Sequence, residues 1–186
     1  MVTTPGDDLL ADLARWTSDQ QIDEAAKART RERWLRQQAE EDARFAGLVL
    51  DLAERGDHVV VRGASGRMYR GEIAGVGRDF IVVRTASGSR AALLTFDAVT
   101  TIRPEPGLTT PAANSERDAS LAATLADVLG GLVADRPRLQ VIAGGDALAG
   151  ELRAVGHDVA SLRLDTNPPA TVYVRLGPVV EVVLLA

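Results

Sequence analysis

Four arginines, Arg62, Arg67, Arg70 and Arg78, are the residues of this chain whose type and crowding point most directly to chemistry. A guanidinium offers a rigid fork of donors that suits phosphate oxygens, so a run of them is a candidate contact for a nucleic-acid backbone. They lie in the one basic part of an acidic protein. Residues 57–104 hold seven arginines against four acidic groups, net +3, while the whole chain is −5. A field that steers nucleic acid usually needs a denser patch, and arginines on the solvent side of strands are also ordinary. Trp16, Trp34 and Leu35 form a second group. Trp16 falls with Leu9, Leu10 and Leu13 on one side of a short helix, while Trp34 and Leu35 sit in a stretch, Ala25 to Asp42, otherwise rich in charge and alanine that cannot bury itself; all three are candidate contacts for a protein partner. The plainer alternative is a solvated helix carrying i,i+4 ion pairs.

Catalytic and metal chemistry find little here. The chain has no cysteine, which removes disulfides, thiolate nucleophiles and cysteine metal sites. His58 and His157 have no partner histidine at ligand spacing and read as surface residues. Asp79 and Asp158 read as acceptors in turns, and the recurring pairs Glu72 with Arg84 and Glu151 with Arg163 as cross-strand ion pairs. No nucleophile–base constellation and no carboxylate dyad is evident. The expectation is a protein that is not an enzyme, with no cofactor, no metal and no small-molecule substrate. One segment imitates a nucleotide site, because Leu139 to Gly150 could be the strand and glycine turn of a dinucleotide fold. Its glycines, Gly144, Gly145 and Gly150, lack the G-x-G-x-x-G spacing, and Glu151 stands where a phosphate loop needs lysine.

A repeat tells which elements position these residues. Gly71-Glu72-Ile73-Ala74-Gly75-Val76-Gly77-Arg78-Asp79-Phe80 returns as Gly150-Glu151-Leu152-Arg153-Ala154-Val155-Gly156-His157-Asp158-Val159. The match extends outward: Phe45, Leu48, Val49 and Leu52 return as Leu125, Val128, Leu129 and Leu132, and Phe96, Val99 and Ile102 as Leu176, Val179 and Val182. The first of these sets has helical spacing, i, i+3, i+4 and i+7. Five short strand-like runs follow, His58–Arg62, Arg67–Gly75, Phe80–Arg84, Arg90–Leu94 and Val99–Arg103, the second of them alternating. Strands this short, with glycine where one must bend, suit a small closed barrel. The proposed unit is thus a helix followed by five strands, present twice.

The organisation expected is a helical arm over residues 1–44, a first helix-plus-barrel unit over 45–104, a proline- and glycine-rich linker over 105–120, and a second unit over 121–186. Ser115 is the expected cap of the second helix, whose stripe runs from Leu121. Val179 to Leu185 is apolar apart from Glu181, so that strand should be covered on both faces. No apolar run approaches the roughly 20 residues of a membrane span. The first residues lack the basic and apolar regions of a secretory signal, so the expected location is cytoplasmic, away from membranes.

The strand pattern resembles the Sm-like family of small β-barrels, which includes the bacterial Hfq and the Sm proteins. Val59, Val61, Gly66, Gly71, Ile73 and Val76 match its first motif, with Phe80 to Val83 as the next strand. Leu94, Ala98, Val99, Thr101, Ile102 and Pro104 match its second. The resemblance covers residues 45–104 and, more loosely, 121–185. It implies an α+β, mainly β fold of two tandem helix-plus-five-stranded SH3-like or Sm-like barrels behind an N-terminal helical arm. It also implies self-association through edge strands. The family's uridine pocket is a different matter, since its Lys-His and Gln-Phe pairs are replaced by Phe96-Asp97 and Arg78-Asp79. Only seven aromatic residues offer stacking platforms, which argues against RNA binding through that pocket. The reading is an assembly or adaptor protein that binds a protein partner or itself, the alternative being RNA binding on the basic face of the first barrel.

Overall fold

The computed structural model describes residues 24, 27–35, 37–38, 44–85, 90–106, 121–177 and 180–185. The chain divides into two compact units, Met1–Ala43 and Arg44–Ala186. In the first, residues 27–35 are helical and exposed throughout. Trp16, the expected cap at Ser115 and nearly all of the expected linker lie outside the described residues.

The second unit is mainly β with short helices. It begins with helix α1 (Phe45–Arg55), which buries Val49, Leu50 and Leu52. Gly56 ends it, because its φ of 65° suits a residue without a Cβ, and its N–H returns to the Ala53 carbonyl at 3.1 Å. Five strands follow: β1 (His58–Gly63), β2 (Met68–Val76), β3 (Phe80–Thr85), β4 (Ala91–Thr95) and β5 (Val99–Pro104). Helix α2 (Leu125–Leu132) then precedes β6 (Arg138–Ala143), β7 (Asp146–Val155), β8 (Val159–Leu164), β9 (Thr171–Arg175) and β10 (Val180–Leu184).

All ten strands belong to one sheet, in the order β5-β1-β2-β3-β4-β10-β6-β7-β8-β9. The two separately closed barrels expected from the strand lengths are replaced by this single open sheet. The physical cause is β10, whose apolar run pairs with β4 on one side and β6 on the other. It is covered on both faces as that run requires, with Val182 in one core and Val183 in the other.

Corresponding positions of the two halves pair alike. Val59 faces Gly71 and Leu139 faces Gly150, and both long strands slip register after their apolar residue, Ile73 or Leu152. A Cβ on Gly71 would collide with the Arg84 carbonyl, and one on Gly150 with that of Arg163, so a side chain at either bend would push the neighbouring strand away. The Asp79 carbonyl accepts from the Phe96 N–H at 2.8 Å, and the Asp158 carbonyl from Leu176 at 2.7 Å.

Two apolar cores result. One joins α1 to β1–β5 around Val49, Leu52, Val59, Val61, Ile73 and Leu94. The other joins α2 to the later strands around Leu125, Leu129, Leu139, Leu152 and Leu162. The cores exchange residues, because Ile142 and Val183 enter the first while Phe80 and Leu93 enter the second. Each fully buried residue of this size stabilises the fold by roughly 1.5–3 kcal/mol, so the exchange binds the halves firmly.

Helix α2 starts later than the sequence suggests. Thr124 caps it in a reciprocal box with Asp127, and Leu121 stands outside it. The preceding residues are occupied elsewhere: the Leu121 N–H donates to the Val76 carbonyl at 3.0 Å, and the Arg78 N–H to that of Ala123 at 3.0 Å. Those bonds tie the segment to the β2–β3 turn.

Candidate functional site: a strand junction and two open edges

A buried polar cluster lies where β4 meets β10. The register there is Leu94 with Glu181, Leu93 with Val182 and Ala92 with Val183. Glu181 is only 1% exposed, and an isolated buried carboxylate is costly. It is satisfied by the other half of the molecule. Its Oε1 accepts from the Ser65 N–H at 3.1 Å, and its Oε2 accepts from the Ser65 hydroxyl and the Tyr69 hydroxyl, each at 2.8 Å. Gly63 comes so close that a Cβ there would strike the carboxylate. Burial first, then the hydrogen bond to Glu181 and its charge, push the Tyr69 phenol well above the usual tyrosine range, so it stays a donor.

Two further contacts cross the junction. Arg67 Nη1 donates to Gln140 Oε1 at 2.7 Å, and the buried Thr95 hydroxyl accepts from the Val180 N–H at 3.2 Å. A cleft of about 260 Å³ beside Glu181 is lined by Ala64, Ser65, Ile142, Gly144 and Gly145.

A larger cleft, about 560 Å³, opens between the Asp79 turn, the start of α2 and the Val155–Asp158 turn. Two of its three carboxylates, Asp79 and Asp127, serve structure. Asp79 Oδ1 accepts from the Leu125 N–H at 2.8 Å and so fastens α2. Asp127 accepts from the Thr124 N–H and hydroxyl, which hold its carboxyl below the usual aspartate range. Among the described residues, no three of His, Asp and Glu are placed to hold a metal ion.

The four sequence-predicted arginines do not form one patch. Arg67 is drawn to Gln140, and the Arg78 backbone is held by the segment before α2. Arg62 and Arg70 share a sheet face, because Arg70 stands opposite Val60, two residues from Arg62. Strand pairing adds Arg103, opposite Val60, and Arg84, opposite Glu72, to that face. These two were missed, although the two-residue strand period placed them there. Glu72 itself faces His58 at 3.1 Å rather than Arg84, and Glu151 faces Arg153 at 3.4 Å rather than Arg163. Trp34 and Leu35 are both exposed.

The sheet ends at β5 and β9, and each is paired on one side only among the described residues. An unpaired strand edge is a row of free donors and acceptors that can take another strand. Tyr173, on β9, is 74% exposed, the most exposed large apolar side chain described. No protein-family model matches this sequence, and no curated protein is significantly similar to it. No helix among the described residues is long and apolar enough to cross a membrane.

Proposed function

We propose that the chain is a non-enzymatic assembly or adaptor module made of two diverged Sm-like helix-plus-five-strand units, acting through its strand edges and the helical arm with Trp34 and Leu35. The observation that carries this reading is the β4–β10 junction, where the halves are already joined edge to edge while β5 and β9 remain open. The shared register of the halves supports treating them as copies of one unit. Sedimentation of the full chain over a range of concentrations tests it. The reading requires self-association or a stoichiometric protein partner, and a chain that stays monomeric and partnerless refutes it.

A second reading, RNA binding, is favoured by the sheet face that carries Arg62, Arg70, Arg84 and Arg103. Titration with single-stranded RNA at two salt concentrations separates the two. Phosphate contacts give an affinity that falls linearly on logarithmic axes with salt and weakens in Arg62→Ala/Arg70→Ala. Absence of binding at low salt rules this reading out.

A further inference from the structure

The geometry points to a phosphate-binding site on the outer face of β1, β2 and β5, where Arg62, Arg70 and Arg103 surround Val60 and take a compact dianion, free phosphate or the phosphate of a monoester. The inference goes beyond both readings above and needs neither.

It begins with Val60. This valine alternates with the core residues Val59 and Val61, so it stands on the solvent side of β1 with His58 and Arg62. Yet it is only 7% exposed, and it is the one buried apolar side chain described that belongs to neither core. Among the described residues its cover comes from its own face. Directly opposite it stand Arg70 on β2 and Arg103 on β5, each about 5 Å away between Cα atoms, while Arg62 is two residues along β1, about 7 Å. All three arginines are nonetheless exposed. Their aliphatic stems lie over the valine and their charged heads stay in water, which gathers three guanidiniums around one apolar spot.

Among the described residues these guanidiniums make no hydrogen bond or ion pair. Other arginines are matched: Arg55 with Asp57, Arg67 with Gln140, Arg138 with Asp165 and Arg153 with Glu151. Unpaired like charges held together repel, and an anion seated between them removes that cost. Guanidinium forks fit phosphate oxygens in pairs, and the Thr101 hydroxyl, opposite Arg62, offers a further donor.

The neighbouring charges set the shape of the ligand. The next row of this face runs Glu105, His58, Glu72 and Arg84, because the Glu105 N–H donates to the His58 carbonyl, His58 faces Glu72 and Glu72 faces Arg84. Two carboxylates there stop the positive field from continuing along the strands. A polymer of singly charged diesters needs a continuing track and gains from aromatic platforms, but the only large apolar side chain exposed on this face is Met68. A phosphate monoester concentrates about 1.5 to 2 charges on one group and so matches three cations at one point.

The test is two-dimensional NMR of the full chain titrated with inorganic phosphate, with glycerol phosphate and with dimethyl phosphate, chloride holding the ionic strength constant. The first two carry a dianion, free or on a monoester, and the third is the singly charged diester. Saturable shifts of the Val60, Arg70 and Arg103 amides, with a dissociation constant of about 1 mM or tighter, are expected from at least one of the first two, and the tighter of them identifies the source. Arg70→Gln and Arg103→Gln should each weaken binding by about tenfold or more, the effect of losing a charge-assisted hydrogen bond, whereas Arg84→Gln and Arg163→Gln should change it by less than about twofold. All four sites are exposed, so each variant should melt with the parent when no ligand is present. Absence of saturation by about 20 mM of either phosphate overturns the inference. So does dimethyl phosphate binding as tightly, or Arg84→Gln costing as much as Arg103→Gln, because the face is then the diffuse basic surface of the RNA reading. The assembly reading stands or falls separately, by sedimentation.

Discussion

Replacing Glu181 by alanine tests the junction most directly, because the residue is buried and its partners lie in the other half. Truncation removes the carboxylate and one methylene, the latter about 0.8 kcal/mol. It leaves the Tyr69 hydroxyl buried without its acceptor, which costs about 1–3 kcal/mol. Ser65 lies at the surface and can turn to water. Relief from burying a carboxylate offsets part of this loss, so a net destabilisation of about 1–3 kcal/mol is expected. Tyr69→Phe alone removes one bond to a charged acceptor, about 1.5–3 kcal/mol. The double variant should cost less than the sum by about 1–2 kcal/mol, since neither change can then orphan the other group. Urea unfolding of the four proteins measures this. Alkali gives a second readout. The phenol is held above its unfolded range, so stability is complete below about pH 10 and declines as pH rises past it; Tyr69→Phe lacks that decline at this site. Additive losses, agreeing within about 0.5 kcal/mol, together with an unchanged alkaline limb, refute the Glu181–Tyr69 lock.

Gly71→Ala should destabilise by about 2–3 kcal/mol or abolish folding, because its Cβ meets the Arg84 backbone, and urea unfolding that matches the parent contradicts the bend. Gly131→Ala, in α2 with open space around it, should instead stabilise by about 0.5–1 kcal/mol in the same assay. Asp127→Asn should lower the melting temperature at neutral pH. The carboxyl is depressed in the folded state, so its contribution is present above about pH 4 and is lost as pH falls through the folded value. The gap between the two proteins should thus close in acid, and a gap as wide at pH 3 as at pH 7 counts against the capping box.

Local pattern carried much of the fold. The stripe of Phe45, Leu48, Val49 and Leu52 lies in α1, and the five expected strands lie within a residue or two of β1 to β5. Such features are dictated by neighbours in sequence. What escaped depends on distant partners. Leu121 fits the helical period of α2, yet its N–H pairs with Val76 instead, and nothing near Leu121 announces that acceptor. Glu181 stood out as the one charge in an apolar run, which signalled burial but not its donors, 112 and 116 residues away. Arg84 and Arg103 were legible as strand residues, but only register sets them beside Arg62 and Arg70.

The difference between the closed junction and the open edges is itself an argument about assembly. A sheet edge binds almost any extended strand, since backbone donors and acceptors carry no sequence information. Selectivity must come from side chains that tolerate one register only. Inside the chain that role falls to Glu181: a slip by one residue would turn its carboxylate away from Ser65 and Tyr69 and toward the opposite face. Three satisfied bonds become a buried, unpaired charge, a larger penalty than any apolar mismatch could impose.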